Sequence, residues 1–461
     1  MTTNPIQNRK PVLLVTTVGS FLVPFMSSSV NVALPAIGKE FAMDAILLGW
    51  VTTSFLLAIA VFLIPFGRIA DIYGRKRIFL YGFVIYTFAS LLAAISRSPF
   101  LLILSRSIQG AGASMTISTM LSILMSSFPA EERGKVLGIN VAAVYAGLSF
   151  GPFLGGVLTH TFGWRSIFLI NIPLGIPILF LTFWKIKGDW TEAKGEAFDF
   201  LGSILSSFTL VTVMYGFSRL PGVDGGLLIL VGVLGFVGFV KWEMRAKCPI
   251  FEIGLFRKNK AFAFSNLAAW INYGATFAIT FLLSLYLQLI KGLNPREAGL
   301  ILVCQPVVQA VFSPFAGRLS DRMQPRIVAS IGMGVTTVGL FLFIFLSEKT
   351  QAPLIVANLI LLGFGFALFS SPNTNAVMSS VDKKLYGVAS GILGTMRSTG
   401  MMFSMGITML VFSVYIGRTQ ITPPYYPFFL KGVRVLFIVF AALSFVGIFA
   451  SLAKGGAGGD D

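Results

Sequence analysis

Histidine, cysteine and acidic residues are scarce in this chain, whose 461 residues include one His, two Cys and 18 Asp and Glu. Cys248 and Cys304 lie far apart without C-x-x-C spacing, which argues against a disulfide framework and against a cysteine-ligated metal site. An enzyme would need clustered nucleophiles, bases or metal ligands, and the sequence shows no such cluster. We therefore predict no catalytic residues, no metal and no cofactor.

Charged residues make up only 11% of the chain, and most are basic, so the net charge is +17. In a soluble protein such an excess would favour nucleic-acid binding. Here the Lys and Arg residues fall in short loops between apolar stretches, where membrane orientation explains them. The pattern therefore excludes nucleic acid as an expected partner.

Long apolar runs dominate the rest of the sequence, with 55% hydrophobic residues and 45 Phe. Helices in a lipid bilayer need not bury this surface, whereas a soluble domain must. A spanning helix needs about 20 mostly apolar residues. Fourteen such runs lie near residues 11–36, 47–66, 78–96, 99–126, 137–160, 165–184, 199–217, 226–241, 261–289, 297–316, 327–346, 352–371, 386–417 and 430–453. The predicted fold class is all-α integral membrane, with fourteen transmembrane helices arranged as two pseudo-symmetric six-helix bundles and an inserted two-helix hairpin.

The distribution of Lys and Arg sets the expected orientation. With the N-terminus in the cytoplasm, 23 of these residues fall in cytoplasmic segments, ten in outer segments and two within the runs. The positive-inside rule selects this arrangement, and the even number of runs returns the C-terminus to the cytoplasm. We expect a plasma or inner membrane protein. Its expected parts are an N-terminal bundle (1–185), inserted helices with flanking loops (186–260), a C-terminal bundle (261–454) and a disordered Gly-rich tail (455–461).

One short polar sequence occurs twice, as Gly67-Arg68-Ile69-Ala70-Asp71 and, 250 residues later, as Gly317-Arg318-Leu319-Ser320-Asp321. Such a repeat suggests two bundles around a midplane site. The first copy's carboxylate can accept backbone N–H groups and pair with an arginine, and a following glycine permits a tight reversal. A conformational latch is one interpretation, and a charged turn that stops a helix from sliding into lipid is the other. The predicted latch residues are Gly67, Asp71, Gly74, Arg75 and Asp321.

Small residues recur every fourth position in the fifth run, at Ala143, Gly147, Gly151 and Gly155. They form one stripe on which another helix can pack closely. Pro152 removes a backbone hydrogen bond at the same place and bends the helix. We predict a pivot or seal between the bundles, although the stripe is equally explained by packing alone.

These segments resemble the major facilitator superfamily, and specifically its fourteen-helix drug:proton antiporter family. The segment 67–77 matches the signature loop between helices 2 and 3, and Arg106-Ser107-Ile108-Gln109-Gly110-Ala111-Gly112-Ala113 resembles the helix 4 motif. The segment 147–156 resembles the helix 5 motif of exporters, and Gly163-Trp164-Arg165 is typical of the fourteen-helix branch. The resemblance implies secondary active export of small amphipathic compounds by alternating access, coupled to protons. It also implies that the latch joins the bundles in the outward-facing state.

Arg106 is the strongest candidate for a substrate-binding residue. An arginine inside a span costs at least about 2.5–3.5 kcal/mol, so it should face a bundle interior or an aqueous cavity. Gln109 lies three residues on and shares its helical face. The alternative is that Arg106 snorkels to the outer end of its helix. Arg397 lies deeper in its own run, and it either faces the cavity or belongs to a helix that begins later.

Further cavity residues follow from helical spacing. They share a face within their runs and suit an amphipathic ligand that is bound by stacking and a few hydrogen bonds. They are Asn31 in the first run, Asn266, Trp270 and Tyr273 in the ninth, and Gln305 and Gln309 in the tenth. Interhelical hydrogen bonds of about 0.6 kcal/mol explain any one of them as well.

The sequence departs from the family in the first run. The family commonly has an aspartate five residues before the asparagine of its N-V-A-L-P segment, and Met26 stands there before Asn31. A buried carboxylate serves antiport because burial favours its protonated form while a bound cation favours the ionised form. No Asp or Glu lies in the interior of any run, since Asp199 and Glu297 stand only at the start of theirs. We therefore expect weak coupling to protons and poor acceptance of cationic cargo.

Other routes for protons and other functions stay open. Asp71, Glu40 and His160, the only histidine, are alternative proton carriers. The embedded arginines favour anionic or neutral amphipathic cargo. The alternative function is an uncoupled facilitator or a lipid-like flippase for such molecules. A receptor that transports nothing is a different class, but the sequence contains no large soluble sensing domain.

Overall fold

The computed structural model describes residues 9–186, 188–382 and 385–453, and no β-strand forms among them. The tail at 455–461 lies outside these residues. In the described part of the chain, fourteen helices are long and apolar enough to cross a membrane, which confirms the predicted fold class. They are α1 (Arg9–Glu40), α2 (Ala45–Tyr73), α3 (Arg75–Ala94), α4 (Pro99–Ser127), α5 (Glu131–Phe162), α6 (Ser166–Lys185), α7 (Phe200–Arg219), α8 (Val223–Glu243), α9 (Lys260–Ile290), α10 (Pro295–Arg322), α11 (Pro325–Phe343), α12 (Ala352–Ser379), α13 (Tyr386–Tyr415) and α14 (Pro423–Leu452).

Local capping explains several helix starts. Asp44 accepts the backbone N–H groups of the first turn of α2, and Ser98 accepts from the first turn of α4. Asn294 and Glu297 form a reciprocal capping box at the start of α10. These contacts satisfy donors that have no partner within the helix. Helices α2 and α10 therefore begin two residues before their apolar runs, and α4 begins with its run at Pro99.

The two groups of six helices repeat the same pairing pattern. In the first group α1 packs on α5, and α4 packs on both α2 and α3. In the last group α9 packs on α13, and α12 packs on both α10 and α11. The repeated polar sequence obeys the same symmetry, because Gly67 approaches Ser118 of α4 and Gly317 approaches Ser371 of α12. The duplication read from the sequence is thus a duplication in space.

The inserted hairpin, α7 and α8, lies beside the seam between the two groups. Helix α7 contacts both α2 and α13, which themselves pack against each other. Tyr215 of α7 meets Trp50 of α2, and Phe217 meets Phe403 of α13, with ring centroids 6.4 and 5.7 Å apart. Helix α8 is exposed along most of its length, as a lipid-facing helix is. The hairpin therefore covers one of the lateral seams.

The two ends of the molecule are packed differently. We call the end with the Tyr73–Arg75 turn the basic end, and the other the opposite end. The largest apolar cluster joins both groups at the opposite end and includes Leu34, Leu283 and Met409. At the basic end the apolar clusters are separate, two in each group. The groups are therefore joined mainly at the opposite end.

Candidate functional site

At the opposite end, backbone atoms of the two groups come into direct contact. A methyl group added to Gly156 of α5 would overlap the backbone of Pro295, and one on Gly299 of α10 would overlap the backbone of Pro152. Ser284 Oγ donates to the carbonyl oxygen of Asn31 at 2.6 Å. Such close approach requires small residues on both helices. This end is closed.

At the basic end the groups stand apart. A methyl group added to Gly134 or Gly138 of α5, or to Gly387 or Gly391 of α13, would meet no atom within 4 Å. The cavity between the groups is therefore open at the basic end.

The predicted latch residues of the first copy contact one another and also bind a glutamate that the sequence analysis did not assign to the latch. Gly74 adopts a φ of 119°, which favours glycine and allows the tight turn between α2 and α3. Arg75 is 6% exposed, and its Nε donates to Asp71 Oδ1 at 2.8 Å. Its Nη1 donates to Glu192 Oε1 at 2.7 Å. Glu192 belongs to the loop after α6, so the latch residues contact this loop instead of the last six helices.

The second copy makes weaker contacts. Asp321 accepts a long hydrogen bond of 3.4 Å from Asn375 Nδ2, and within the described residues it forms no ion pair. The loop after α10 lacks the glycine turn of the first copy, because Gln324 stands where Gly74 stands in the first, and Pro325 stands where Arg75 stands. The two copies are therefore equivalent in position but not in their contacts.

The small-residue stripe of α5 faces α1 of the same group. Methyl groups added to Gly147 and Gly151 would overlap Phe21 and Ser28, and one on Gly155 would lie 2.8 Å from Ser29 Cβ. The neighbouring face, with Pro152 and Gly156, meets α10 instead. The stripe is thus a packing surface within one group, and the seal between groups is the face beside it.

Arg106 does not face the open cavity, which corrects the expectation from the sequence. It is 0% exposed and lies inside the first group. Its Nε donates to the carbonyl oxygen of Val51 at 3.1 Å, its Nη1 donates to Gln109 Oε1 at 2.6 Å, and its guanidinium carbon lies 4.2 Å from the centre of the Phe55 ring. Gln109 in turn donates to Ser90 Oγ at 2.7 Å. Helices α2 and α4 thus supply two acceptors, and the third nitrogen, Nη2, is buried without a hydrogen-bond partner. The arginine is enclosed by protein atoms and does not snorkel.

Met26, Asn31 and Asn266 are also packed away from the cavity. Met26 is 0% exposed, and Asn171 Nδ2 of α6 lies 3.0 Å from its sulfur. Asn31 is 2% exposed and accepts from Thr52 Oγ1 at 3.1 Å, while Asn266 donates within its own helix to Phe262 at 2.9 Å. Asn31 therefore makes a hydrogen bond between helices and Asn266 makes one within its own helix, which corrects their assignment to substrate binding.

Arg397 lies inside α13, eleven residues after its first residue, Tyr386, so the helix does not begin later. It is half-buried, and its Nη2 donates to Thr374 Oγ1 of α12 at 2.6 Å. Its guanidinium carbon lies 5.6 Å from the centre of the Tyr273 ring of α9. Trp270, one turn away, packs on Phe403 with a centroid distance of 4.8 Å. Arg397, Tyr273 and Trp270 are therefore brought together.

Gln305 of α10 is half-buried and Gln309 is 7% exposed. Three contributors escaped the sequence reasoning: Thr374, Phe403 and Tyr145, whose Oη lies 3.3 Å from Ser370 Oγ of α12. Hydroxyls and single aromatics are common in membrane helices, so nothing in the sequence marked them out. The loop after α6 did carry a signal, because four acids follow close behind Lys185, the last residue of the sixth helix.

Comparisons with known proteins point to a membrane transporter. The sequence profile of the Major Facilitator Superfamily matches residues 16–264 and 265–455. The riboflavin transporter RibZ of Clostridioides difficile is 30% identical over 84% of this chain and 84% of its own length. The multidrug resistance protein Stp of Mycobacterium tuberculosis (strain CDC 1551 / Oshkosh) is 31% identical over 88% of this chain and 76% of its own length.

A solved structure shows the same fold. The crystal structure of a bacterial homologue of the human lysosomal transporter Spinster superposes with a TM-score of 0.70. The match covers 99% of this chain and 100% of that one, at 16% sequence identity.

Proposed function

The chain belongs to the major facilitator superfamily of non-enzymatic transporters, and we propose that it is a secondary exporter of small amphipathic compounds that works by alternating access. One observation carries the proposal: the two six-helix groups are closed at the opposite end and open at the basic end. A cavity that opens at one end only is half of an alternating-access cycle. The export direction is supported by relatives such as the multidrug resistance protein Stp.

The orientation follows from charge. The basic end carries most of the Lys and Arg residues, so the positive-inside rule assigns it and both termini to the cytoplasm of a plasma or inner membrane. The open cavity then faces the cytoplasm, from which an exporter takes its cargo. We retain the division into bundles at 1–185 and 261–454, with an inserted unit at 186–260 and a tail at 455–461.

The cargo site in this proposal is the part of the cavity lined by the last six helices. Aromatic and polar side chains there, all half-buried except the buried Gln309, suit an amphipathic ligand because they offer both stacking and hydrogen bonds. These side chains are Trp270, Tyr273, Gln305, Gln309 and Arg397. Arg106, Gln109, Asn31 and Asn266 form the framework behind the cavity and do not contact cargo.

A second candidate is an uncoupled facilitator. Met26, which stands in place of the family's usual aspartate, is packed against Asn171. Among the described residues the one buried carboxylate is Glu243, and it lies in the inserted hairpin. Neither observation places a proton-binding carboxylate beside the cargo site, so we expect weak proton coupling.

Transport by purified protein in liposomes tests the proposal. Anionic, neutral and cationic amphipaths are each loaded with and without an imposed pH gradient, and empty liposomes serve as the control. We expect saturable flux of anionic or neutral amphipaths with a weak response to the gradient. No protein-dependent flux of any probe would refute transport of amphipaths, and strong gradient-driven flux of ethidium would instead support cation:proton antiport.

A further inference from the structure

The guanidinium of Arg397 has no carboxylate partner. Within the residues that the structure describes, no Asp or Glu oxygen lies within salt-bridge distance of it. Its Nη2 bonds to the neutral hydroxyl of Thr374, and its Nε is buried without any partner. An arginine in a membrane span is costly unless it is paired or hydrated. The half-buried guanidinium therefore keeps its charge without a counter-ion, and Nη2 is the one nitrogen that donates to a protein atom among the described residues.

Aromatic rings surround this charge on its own side of the cavity. Tyr273 lies against the guanidinium. Trp270, one turn from Tyr273 on α9, packs on Phe403, which lies six residues after Arg397 on α13. Gly400 lets these helices meet closely, since a methyl group there would lie 3.2 Å from Tyr273 Cβ. The arrangement offers a flat apolar surface next to a fork of N–H donors.

Contacts of Arg397 lead to the other group of helices. Thr374, which accepts its hydrogen bond, donates to the carbonyl oxygen of Ser370 at 2.8 Å. The hydroxyl of Ser370 lies 3.3 Å from the phenol oxygen of Tyr145 in α5. Arg397 therefore lies near the seam between the moving groups, where a bound ligand can influence both. Arg106 also has an unpartnered nitrogen, Nη2, but it differs because it is 0% exposed, whereas Arg397 is only half-buried.

We propose that Arg397, Tyr273 and Trp270 form a subsite for aromatic anions, in which the guanidinium binds the acid and the rings bind the aromatic body. The proposal rests on the proposed transport function and specifies its cargo. Arg397 would contribute paired donors to a planar carboxylate, which a lysine cannot match. The site therefore favours an aromatic carboxylate over its neutral amide.

A matched pair of fluorescent probes tests the subsite. Dansylglycine carries the anionic carboxylate, and dansylglycinamide carries the same aromatic body without the charge. In proteoliposomes, Arg397→Ala is expected to reduce saturable dansylglycine flux by about tenfold or more, the usual cost of losing a charge-assisted hydrogen bond. Dansylglycinamide flux should change less than about twofold, and Arg397→Lys should restore dansylglycine flux only in part.

Two controls separate the possible failures. Arg418→Ala removes an exposed arginine outside the helices and should leave both probes unaffected. Tyr273→Leu, which removes the ring but keeps an apolar side chain, should weaken both probes. Equal loss of both probes in Arg397→Ala, or loss of neither, would overturn the subsite while the transport function stands. Absence of flux for both probes in the wild type would count against transport itself.

A second inference comes from the loop after α6, whose residues 189–196 we call the clasp. The clasp contacts the latch residues and their basic neighbours through three acid–base pairs and several backbone hydrogen bonds. The pairs are Glu192 with Arg75, Glu196 with Arg68 and Asp189 with Arg77. The carbonyl oxygen of Asp71 accepts the N–H groups of Glu192 and Ala193.

The pair between Glu192 and Arg75 dominates because Arg75 is nearly buried. Exposed ion pairs contribute little, and Arg77 is 71% exposed in its pair. Arg75 instead uses its donors on Asp71, Glu192 and Ser126. No donor of this arginine remains for the last six helices while the clasp is bound.

We infer that the clasp and the proposed latch are mutually exclusive, so the clasp holds the transporter open at the basic end. Closing that end would require Asp71 and Arg75 to leave Glu192 and contact the other group. The inference rests on the proposed alternating-access cycle. It predicts that weakening the clasp favours closure of the basic end.

Distances between spin labels test the clasp independently of transport. Lys135→Cys and Tyr386→Cys place labels on exposed positions of the two groups at the basic end, after Cys248→Ser and Cys304→Ser remove the native thiols. Glu192→Gln is expected to raise the population with the shorter distance. Glu131→Gln, an exposed glutamate at the same end, is the control. An unchanged distribution in Glu192→Gln, or a shift to longer distances, would refute the clasp and leave the transport proposal untouched.

Discussion

For Arg106, the sequence predicts that the side chain is buried and needs hydrogen-bond partners, but it does not identify those partners. The cost of a charge in a span predicts that the guanidinium must find hydrogen-bond partners, and two of its three nitrogens do, while Nη2 is buried without one. The sequence does not name these partners, because one of them is the backbone carbonyl of Val51, which any residue could supply. The same limit applies to Thr374 beside Arg397.

The packing of Arg106 predicts a structural effect of its removal. Arg106→Ala breaks hydrogen bonds to Val51 and Gln109 and leaves a cavity beside Phe55, so we expect a loss of about 2–4 kcal/mol of stability. Arg106→Lys should lose less, since it keeps the charge and most of the volume. Thermal unfolding in detergent measures both. Arg97→Ala, at an exposed position near the opposite end, should behave as wild type, and a stable Arg106→Ala protein that only fails to bind cargo would contradict this assignment.

At the scale of one element, α5 carries two different surfaces. The recurring glycines predicted a close helix partner, and the structure provides one in α1. Spacing alone could not tell whether that partner belongs to the same group or to the other. The face that meets α10 contains Gly156, which stands next to the stripe and was not singled out. The same limit applies to the loop after α6. Its acidic residues indicate ion pairs, but the sequence does not show which helix end they contact.

Gly156 gives a prediction at this scale. Gly156→Ala adds a methyl group that overlaps the backbone of Pro295, so the closed opposite end should lose about 1–3 kcal/mol relative to the open one. Spin labels at Lys39→Cys and Arg296→Cys, in the background without native thiols, should then report a longer distance. Gly226→Ala in α8, where a methyl group meets nothing within 4 Å, is the matched control. A Gly156→Ala protein with wild-type distances would show that this contact does not seal the opposite end.

For the whole molecule, the number of spans and their duplication were predictable from apolar runs and one repeated polar sequence. The conformation could not be predicted in this way. A chain that works by alternating access must be compatible with both of its end states, and no single sequence feature shows which state is more stable. The relative stability of the two end states depends on the summed energies of contacts such as Gly156 with Pro295 and Arg75 with Glu192. Those contacts join segments that are far apart in the chain.

The absent acid at Met26 leads to a prediction about the whole transport cycle. Met26→Asp places a carboxylate in a buried site beside the amide of Asn171 and away from the cavity, so burial favours its protonated form and cargo cannot reach it. We expect the variant to gain no gradient-driven flux of ethidium in proteoliposomes. Met26→Asn has a similar shape without the charge and should behave in the same way. Gradient-driven flux of ethidium in Met26→Asp alone would show that this position is reached from the cavity and can couple protons to cargo.

The hairpin of α7 and α8 also obeys a rule of parity. Each group of six spans starts and finishes on one side of the bilayer, and so does an insertion of two. The polar sequences that begin at Gly67 and Gly317 therefore emerge on the same side even though the insertion separates them. A single extra span between α6 and α9 would turn the second half upside down and carry Asp321 across the membrane from Asp71. Additions at this junction are compatible with the repeat only in pairs.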